Sequence, residues 1–362
     1  MNTAKNELKR YSGLVKSIRV DHSAYLAALE ALEDAHDSVG DTATPVCIHI
    51  AGEYRTGKSC VIEDFLALHP PARGADGLRR SIIYATVPHD ATVKALVEAL
   101  LRAFGDPHWA RGSTSNQTAR LLDYLEKTRC RMIILDEFQH LCDKGQQKQL
   151  DKTTDWLKNL IEKKTWALVA AGLPESASVI NRNRQLQGRF DATIAMPLFD
   201  WRGPASRTQF RAIVRSFVAE LPPFELPDLG GEELGLRVFL ATSGRVGLLA
   251  KLMDRAIRDA IRKGATKIRL SDLAEAFQRA IWFAPRFPLP KGPFFCDLDQ
   301  ARNDIMERIV ALAGEGDAYR EQGGQVQLQG VDLKVAQVDK ANSHPTRRKR
   351  AFAAKEELRR AL

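Results

Sequence analysis

The chain has 362 residues, 44% of them apolar and 27% charged, the balance of a globular protein large enough for one big domain or two smaller ones with real cores. Its five cysteines (Cys47, Cys60, Cys130, Cys142, Cys296) are scattered, with no CxxC pair or histidine cluster, which argues against a zinc site or disulfide framework and for a reducing, cytoplasmic setting. The N-terminal MNTAKNELKRYSG has no apolar signal-peptide region, and no apolar run reaches the roughly 18 residues of a membrane span. The formal charge of +9 fits either a solubilising surface or contact with a polyanion, usually nucleic acid.

In chain order, residues 14–38 read as a helix and VCIHIA (46–51) as a buried strand. GEYRTGKS follows, then an amphipathic helix to Leu68 that Pro70–Pro71 ends. SIIYATV (81–87) is a second strand, and residues 91–104 and 116–128 are helices. MIIL (132–135) is a third strand, ending in Asp-Glu. A helix over 151–163 leads to WALVAA (166–171), residues 174–190 read as helix, and DATIAMPL (191–198) is a fifth strand. Apolar strands alternating with helices predict a parallel sheet covered on both faces. After Trp201 the pattern becomes helical over 205–220, 231–242, 245–263 and 271–283. The expected organisation is an N-terminal helical segment (1–45), an α/β core (46–200), a helical domain (201–283), and a linker with a basic tail (284–362). In the last 22 residues seven basic side chains (Arg347, Arg348, Lys349, Arg350, Lys355, Arg359, Arg360) face two acidic ones.

Gly52-Glu53-Tyr54-Arg55-Thr56-Gly57-Lys58-Ser59 is a full P-loop pattern in its required strand-to-helix context. Its glycines let consecutive N–H groups wrap phosphates, and the next helix, with Cys60 in its first turn, presents its positive end to them. Lys58 is expected at the β- and γ-phosphates of ATP and Ser59 on Mg²⁺. Asp136 and Glu137 end the third strand 77 residues after Ser59, where Asp136 serves the Mg²⁺ shell and Glu137 activates the attacking water. Arg189, before the fifth strand, is placed to reach a neighbouring subunit's nucleotide, with Arg182 and Arg184 as competitors. Arg245, opening a helix in TSGRVG, is a candidate cation over the nucleotide. The fourth strand ends in Ala170–Ala171–Gly172, where many such ATPases place Asn, Ser or Thr near the attacking water. Backbone groups or Glu175 are the substitutes to hand, and slow hydrolysis is the expectation.

Together YRTGKS, IIYATVPHD, IILDEFQHL, RNRQLQGRF and ATSGRVGLLAKL resemble the AAA+ regulators of DNA transposition, the TniB/TnsC family, over about residues 15–283. The resemblance implies an AAA+ P-loop ATPase with a five-stranded parallel core and a helical lid. It implies ATP and Mg²⁺ as ligands, and a ring or helical filament on duplex DNA without base specificity. Transposase and target-selector proteins are the implied partners, and no membrane is involved. Two departures stand out: Gly172–Leu173 where members often have Gly-Thr, and Leu248 where several carry the lid arginine. Candidate DNA contacts facing a ring's pore are His89, Lys94, Arg111, Ser113 and Thr114, with Lys144 and Lys148 as a second patch. The tail reads either as phosphate-binding or as a segment that folds on a transposase subunit. The competing readings are a helicase loader or replication initiator, which should add a winged-helix or helix-turn-helix module, and a nucleotide-switched signalling NTPase.

Overall fold

The computed structural model describes residues 13–40, 45–75, 77–89, 91–142, 147–162 and 166–321, with residues 6 and 11 besides. The basic tail and Lys144 lie outside the described residues, as does the side chain of Lys148. The chain divides into two compact units, Met1–Ala313 and Gly314–Leu362. Both the α/β core and the helical domain belong to the first.

The five apolar runs become β1 (Ile48–Gly52), β2 (Ile82–Thr86), β3 (Met132–Asp136), β4 (Ala167–Gly172) and β5 (Ile194–Met196). They form one sheet in the order β2-β3-β4-β1-β5, and every neighbouring pair is parallel. Side chains alternate across a strand, so the inner runs divide between two cores. Met132 and Ile134 of β3 join a cluster with Leu32, Val61, Ile62 and Phe65. Ile133 and Leu135 join Leu96, Leu100, Leu121, Leu157 and Ile180 on the other face. Strands sandwiched in this way carry near-continuous apolar sequence.

Helices α1 (Ser23–Ser38) and α2 (Lys58–Leu68) cover the first face. Helices α3 (Val93–Phe104), α4 (Thr114–Lys127), α5 (Gln147–Glu162) and α6 (Ala177–Arg182) cover the second. The N-terminal helix is shorter than its apolar pattern predicts. Leu14–Ser17 forms one turn, Ile18 is extended, and α1 restarts where the His22 ring accepts from Tyr25 N. The break sends Val15 and Ile18 into the helical domain while Ala28, Leu32 and Ala35 pack on the sheet. The single helix expected over 174–190 is likewise divided. Asn183 is extended, and its side chain caps a separate turn, Arg184–Gln187.

The helical domain contains α7 (Pro204–Ala219), α8 (Glu232–Thr242), α9 (Val246–Lys263) and α10 (Leu270–Ala280). Phe210, Phe239 and Phe277 are fully buried in it; each such ring is worth about 1.5–3 kcal/mol against exposure. A linker from residue 284 is not what the structure shows. Leu289, Phe294, Cys296 and Ala301 are buried in the same cluster, as are Met306, Ile309 and Leu312 of α11 (Asn303–Glu321). The prolines over 285–293 shape short turns packed against α10. Among the described residues no helix is long and apolar enough to cross a membrane.

Candidate functional site

In parallel sheets ligands collect beyond the carboxyl ends of the strands. The register here aligns Ala51 with Gly172, Gly52 with Met196, and Thr86 with Asp136. One edge of the sheet therefore presents the P-loop, the Asp136–Glu137 pair and the end of β4.

The P-loop conformation follows from steric demands. A Cβ at Gly52 would lie 2.6 Å from Met196 O and 2.8 Å from Thr56 Oγ1, and Gly57 has φ 106°, a region open mainly to glycine. Arg55 is also left-handed, at φ 63°. Buried Thr56 ties the loop by donating from Oγ1 to Glu53 O at 2.8 Å. Lys58 is 9% exposed, and its Nζ donates to Gly52 O at 2.6 Å and Glu53 O at 3.0 Å. The ammonium thus sits inside the loop's curve. Glu53, Tyr54, Gly57 and Cys60 are half-buried around it, and Ser59 is exposed.

Ser59 Oγ donates to Asp136 Oδ2 at 3.3 Å, and Tyr84 OH donates to the same oxygen at 2.9 Å. Burial, with the Asp136 charge beside it, pushes the Tyr84 phenol far above its ordinary range, so it remains a donor. Asp136 Oδ1 accepts from Glu137 N at 2.9 Å. A hydroxyl and a carboxylate side by side form a hard oxygen pair. Mg²⁺ takes such a set, since it binds through one or two protein ligands and keeps waters and phosphate oxygens. The loop that encloses an ammonium and this oxygen pair fit a nucleoside triphosphate with its metal.

Glu137 is held at φ 54°, a sparsely populated region for a residue with a side chain. Its carboxylate accepts from Gln139 Nε2 at 2.5 Å, and Gln139 Oε1 accepts from Leu173 N at 3.1 Å. Glu175 is exposed. Behind β4 a second polar line runs through the sheet. Ser176 Oγ donates to Leu173 O, so it accepts from His49 Nε2 at 2.9 Å. His49 Nδ1 then accepts from Thr193 Oγ1, 3.0 Å away. Burial lowers His49 to about 4.

The lid docks through its own glycines. At Gly244, with φ 68°, a Cβ would lie 2.1 Å from Phe199 O; at Gly247 it would lie 2.9 Å from Arg55 Cβ. Gly247 N donates to Arg55 O at 2.8 Å. Between them Arg245 is 2% exposed, and its Nη1 donates to Ser243 Oγ at 3.1 Å. Arg245 is therefore a buried residue at the junction of lid and P-loop.

Arg189 lies at the opposite end of the sheet from its own P-loop. Its carbonyl accepts from Cys47 N, and Asp191 N donates to Cys47 O. Gly52, the first residue of the loop, lies five positions beyond Cys47 along β1, about 16 Å at roughly 3.3 Å per residue. Arg182 is paired with Asp151 at 3.1 Å.

The DNA-contact candidates divide. Helices α3 and α4 run parallel, with Gln117 bonded to Glu98 and Phe104 stacked on Tyr124. Their N-termini, carrying Lys94 and Ser113–Thr114, share one end. Ser113 caps α4 through Asn116 N, and Lys94 lies 3.9 Å from Glu98. His89 is exposed and its ring meets that of His140 at 3.9 Å between centroids, tilted by 39°. Arg111 is exposed further along, where its carbonyl accepts from Arg120.

Tyr84, Gln139, His49 and Ser176 had no place in the sequence reading. Gln139 carried a signal, a polar residue two positions beyond Glu137. The strands that carry Tyr84 and His49, β2 and β1, hid them, because each residue interrupts an apolar run without resembling a motif.

A model of the bacterial TniB protein family matches residues 12–202. No curated protein matches the chain. In structure it is similar to the Aeropyrum pernix ORC1 protein in complex with DNA, at 19% identity and TM-score 0.54, covering 75% of this chain and 68% of that one. It is similar also to Cdc6p from Pyrobaculum aerophilum, at 14% identity and TM-score 0.53, covering 83% and 86%. At such identity the likeness concerns the fold alone. With the family match spanning α1, the P-loop, the Asp136–Glu137 pair and β5, the chain belongs to the bacterial TniB family and has the AAA+ P-loop fold.

Proposed function

We propose that this chain is a DNA-binding ATPase that regulates transposition, oligomerising on duplex target DNA and linking a target-selector protein to the transposase. The observation that carries the reading is the convergence of Lys58, Ser59, Asp136 and Glu137 at one strand edge in a TniB-family chain. Gly52–Ser59 would hold the phosphates of ATP, with Lys58 against their charge. Ser59 and Asp136 would hold Mg²⁺, which neutralises charge on the transferred phosphoryl group. Glu137 orients a water and takes its proton as the oxygen attacks the γ-phosphorus and the bond to ADP breaks. Arg189 cannot serve its own site across the length of β1, so it acts in a neighbouring subunit's, and hydrolysis needs the assembled ring or filament. Arg245 reports lid position to the P-loop through the Gly247–Arg55 contact. Lys94, Ser113, Thr114 and His89 form the DNA patch, with Arg111 at its margin. A cytoplasmic setting belongs to this reading.

The test is sedimentation with non-specific duplex DNA with and without ATP. Co-sedimentation that requires ATP and weakens steeply with salt is the expected result. No DNA binding at low salt with ATP would sink the reading and favour a signalling NTPase. The fold likeness to ORC1 and Cdc6p keeps a replication initiator or helicase loader as second reading. Among the described residues, however, only short turns and α11 follow the lid, with no winged-helix module to read a sequence.

A further inference from the structure

The end of β4 has no polar side chain, yet the space beside Glu137 is filled by one. Gln139 is wholly buried in the 3₁₀ turn after β3. A carboxamide carries two donors and an acceptor on one rigid plane. Here the partners fix its orientation, because Leu173 N can only donate and the Glu137 carboxylate can only accept. The Nε2 group holds Glu137 Oε2 at 2.5 Å and Oε1 holds Leu173 N at 3.1 Å. Gly172 is shaped to this group: a Cβ there would lie 2.6 Å from Gln139 Oε1 and 3.1 Å from Ser176 Oγ. The missing β4 side chain and the buried amide are therefore two views of one arrangement. The amide occupies the volume that a side chain at 172 would need. Leu173, whose N–H it grips, has its own carbonyl held by Ser176 on the other side of the residue.

We propose that Gln139 is the positioning residue for Glu137, supplying from the turn after β3 the polar contact that β4 omits. This rests on Glu137 being the residue that activates water. Gln139 sets the direction of the Glu137 carboxylate and ties it to the β4 terminus, so a shift of the Leu173–Ser176 segment moves the base.

Two variants test it, each compared with wild type and with Glu137→Gln. Gln139→Met removes both contacts at similar volume. Gln139→Glu keeps an acceptor for Leu173 N but sets a carboxylate against Glu137. In nucleotide-free protein, hydrogen exchange at the Leu173 amide should quicken in Gln139→Met and stay slow in Gln139→Glu. Both should bind ATP within about threefold of wild type while kcat falls roughly 10- to 100-fold, the loss expected of a misdirected group. For Gln139→Glu the ratio of variant to wild-type kcat should rise as pH is lowered from about 8 to about 6, since a protonated carboxyl donates again. A purely structural role would lower affinity and kcat together and leave that ratio flat. The proposal is overturned if Gln139→Glu binds ATP normally and keeps kcat within about twofold of wild type. If Gln139→Met does not fold, Gln139→Glu decides alone. If Glu137→Gln turns over like wild type, it is the reading of Glu137 that fails, and the proposal falls with it by a different result.

Discussion

The α/β core and the helical domain approach the nucleotide edge with different chemistry. The core brings side chains: Lys58 and Ser59 open α2 after the loop that follows β1, Asp136 and Glu137 close β3, and strand register brings them to one edge. The lid brings backbone: Gly244 and Gly247 let α9 start against Phe199 and Arg55 with no room for a Cβ. Polar residues at strand ends tolerate small shifts because a side chain can rotate. Close backbone contact tolerates less, which ties the start of α9 to Arg55 of the P-loop.

The largest effects should come from the core's side chains. Lys58→Ala should lower ATP affinity roughly a hundredfold or more, measured by titration with a fluorescent nucleotide, because the charge inside the loop is lost. Unchanged affinity would put the nucleotide elsewhere. Glu137→Gln should leave affinity intact while slowing turnover by about 10²–10⁴-fold, trapping assemblies on DNA.

In the lid the comparison predicts a split between the two glycines. Gly244→Ala combines a left-handed backbone with a clash into Phe199 O, and should cost on the order of 3 kcal/mol or more in chemical denaturation. Gly247→Ala presses on Arg55 from an ordinary backbone conformation. It should cost less stability and appear mainly as weaker nucleotide binding. Equal stability losses at both sites, with binding unaffected at Gly247, would remove the distinction between lid and core.

The polar line through the core gives a pH effect. Burial holds His49 at about 4, below its ordinary 6.5. Between these values the unfolded chain binds a proton on this residue that the folded chain does not. Its contribution is therefore complete above 6.5 and lost as pH falls toward 4, on the order of 3 kcal/mol. His22 and His36, also lowered by burial, add in the same direction. Urea unfolding across this range should show the decline, and His49→Gln should flatten part of it. The smallest effect is at the proposed DNA patch: Lys94→Ala should reduce the salt slope of DNA binding by about one while leaving ATP affinity unchanged.

Much of the core was legible because strand and motif coincide. A strand buried on both faces must be apolar throughout, and a phosphate loop must have glycine where backbone crowds Met196. TSGRVG was visible as a pattern, but its reason was not. Gly244 matches a crowded carbonyl 45 residues earlier, and no local spacing reveals such a contact. The helical domain's end was misplaced because proline-rich turns look alike whether they pack or hang free. Only the burial of Leu289, Phe294 and Met306 separates the two.

By itself the sequence determined the parallel sheet, the P-loop and the acidic pair, since these depend on residue type at short range: continuous apolar runs on strands, glycine in a tight loop, charge at a strand end. The tertiary structure decided which groups serve each other. Gln139 bridging Glu137 to Leu173, Tyr84 on Asp136, His49 bonded to Ser176, and Arg189 bonded to Cys47 away from the P-loop all join segments far apart in the chain. Their pairing follows from sheet order and register, which place those segments side by side.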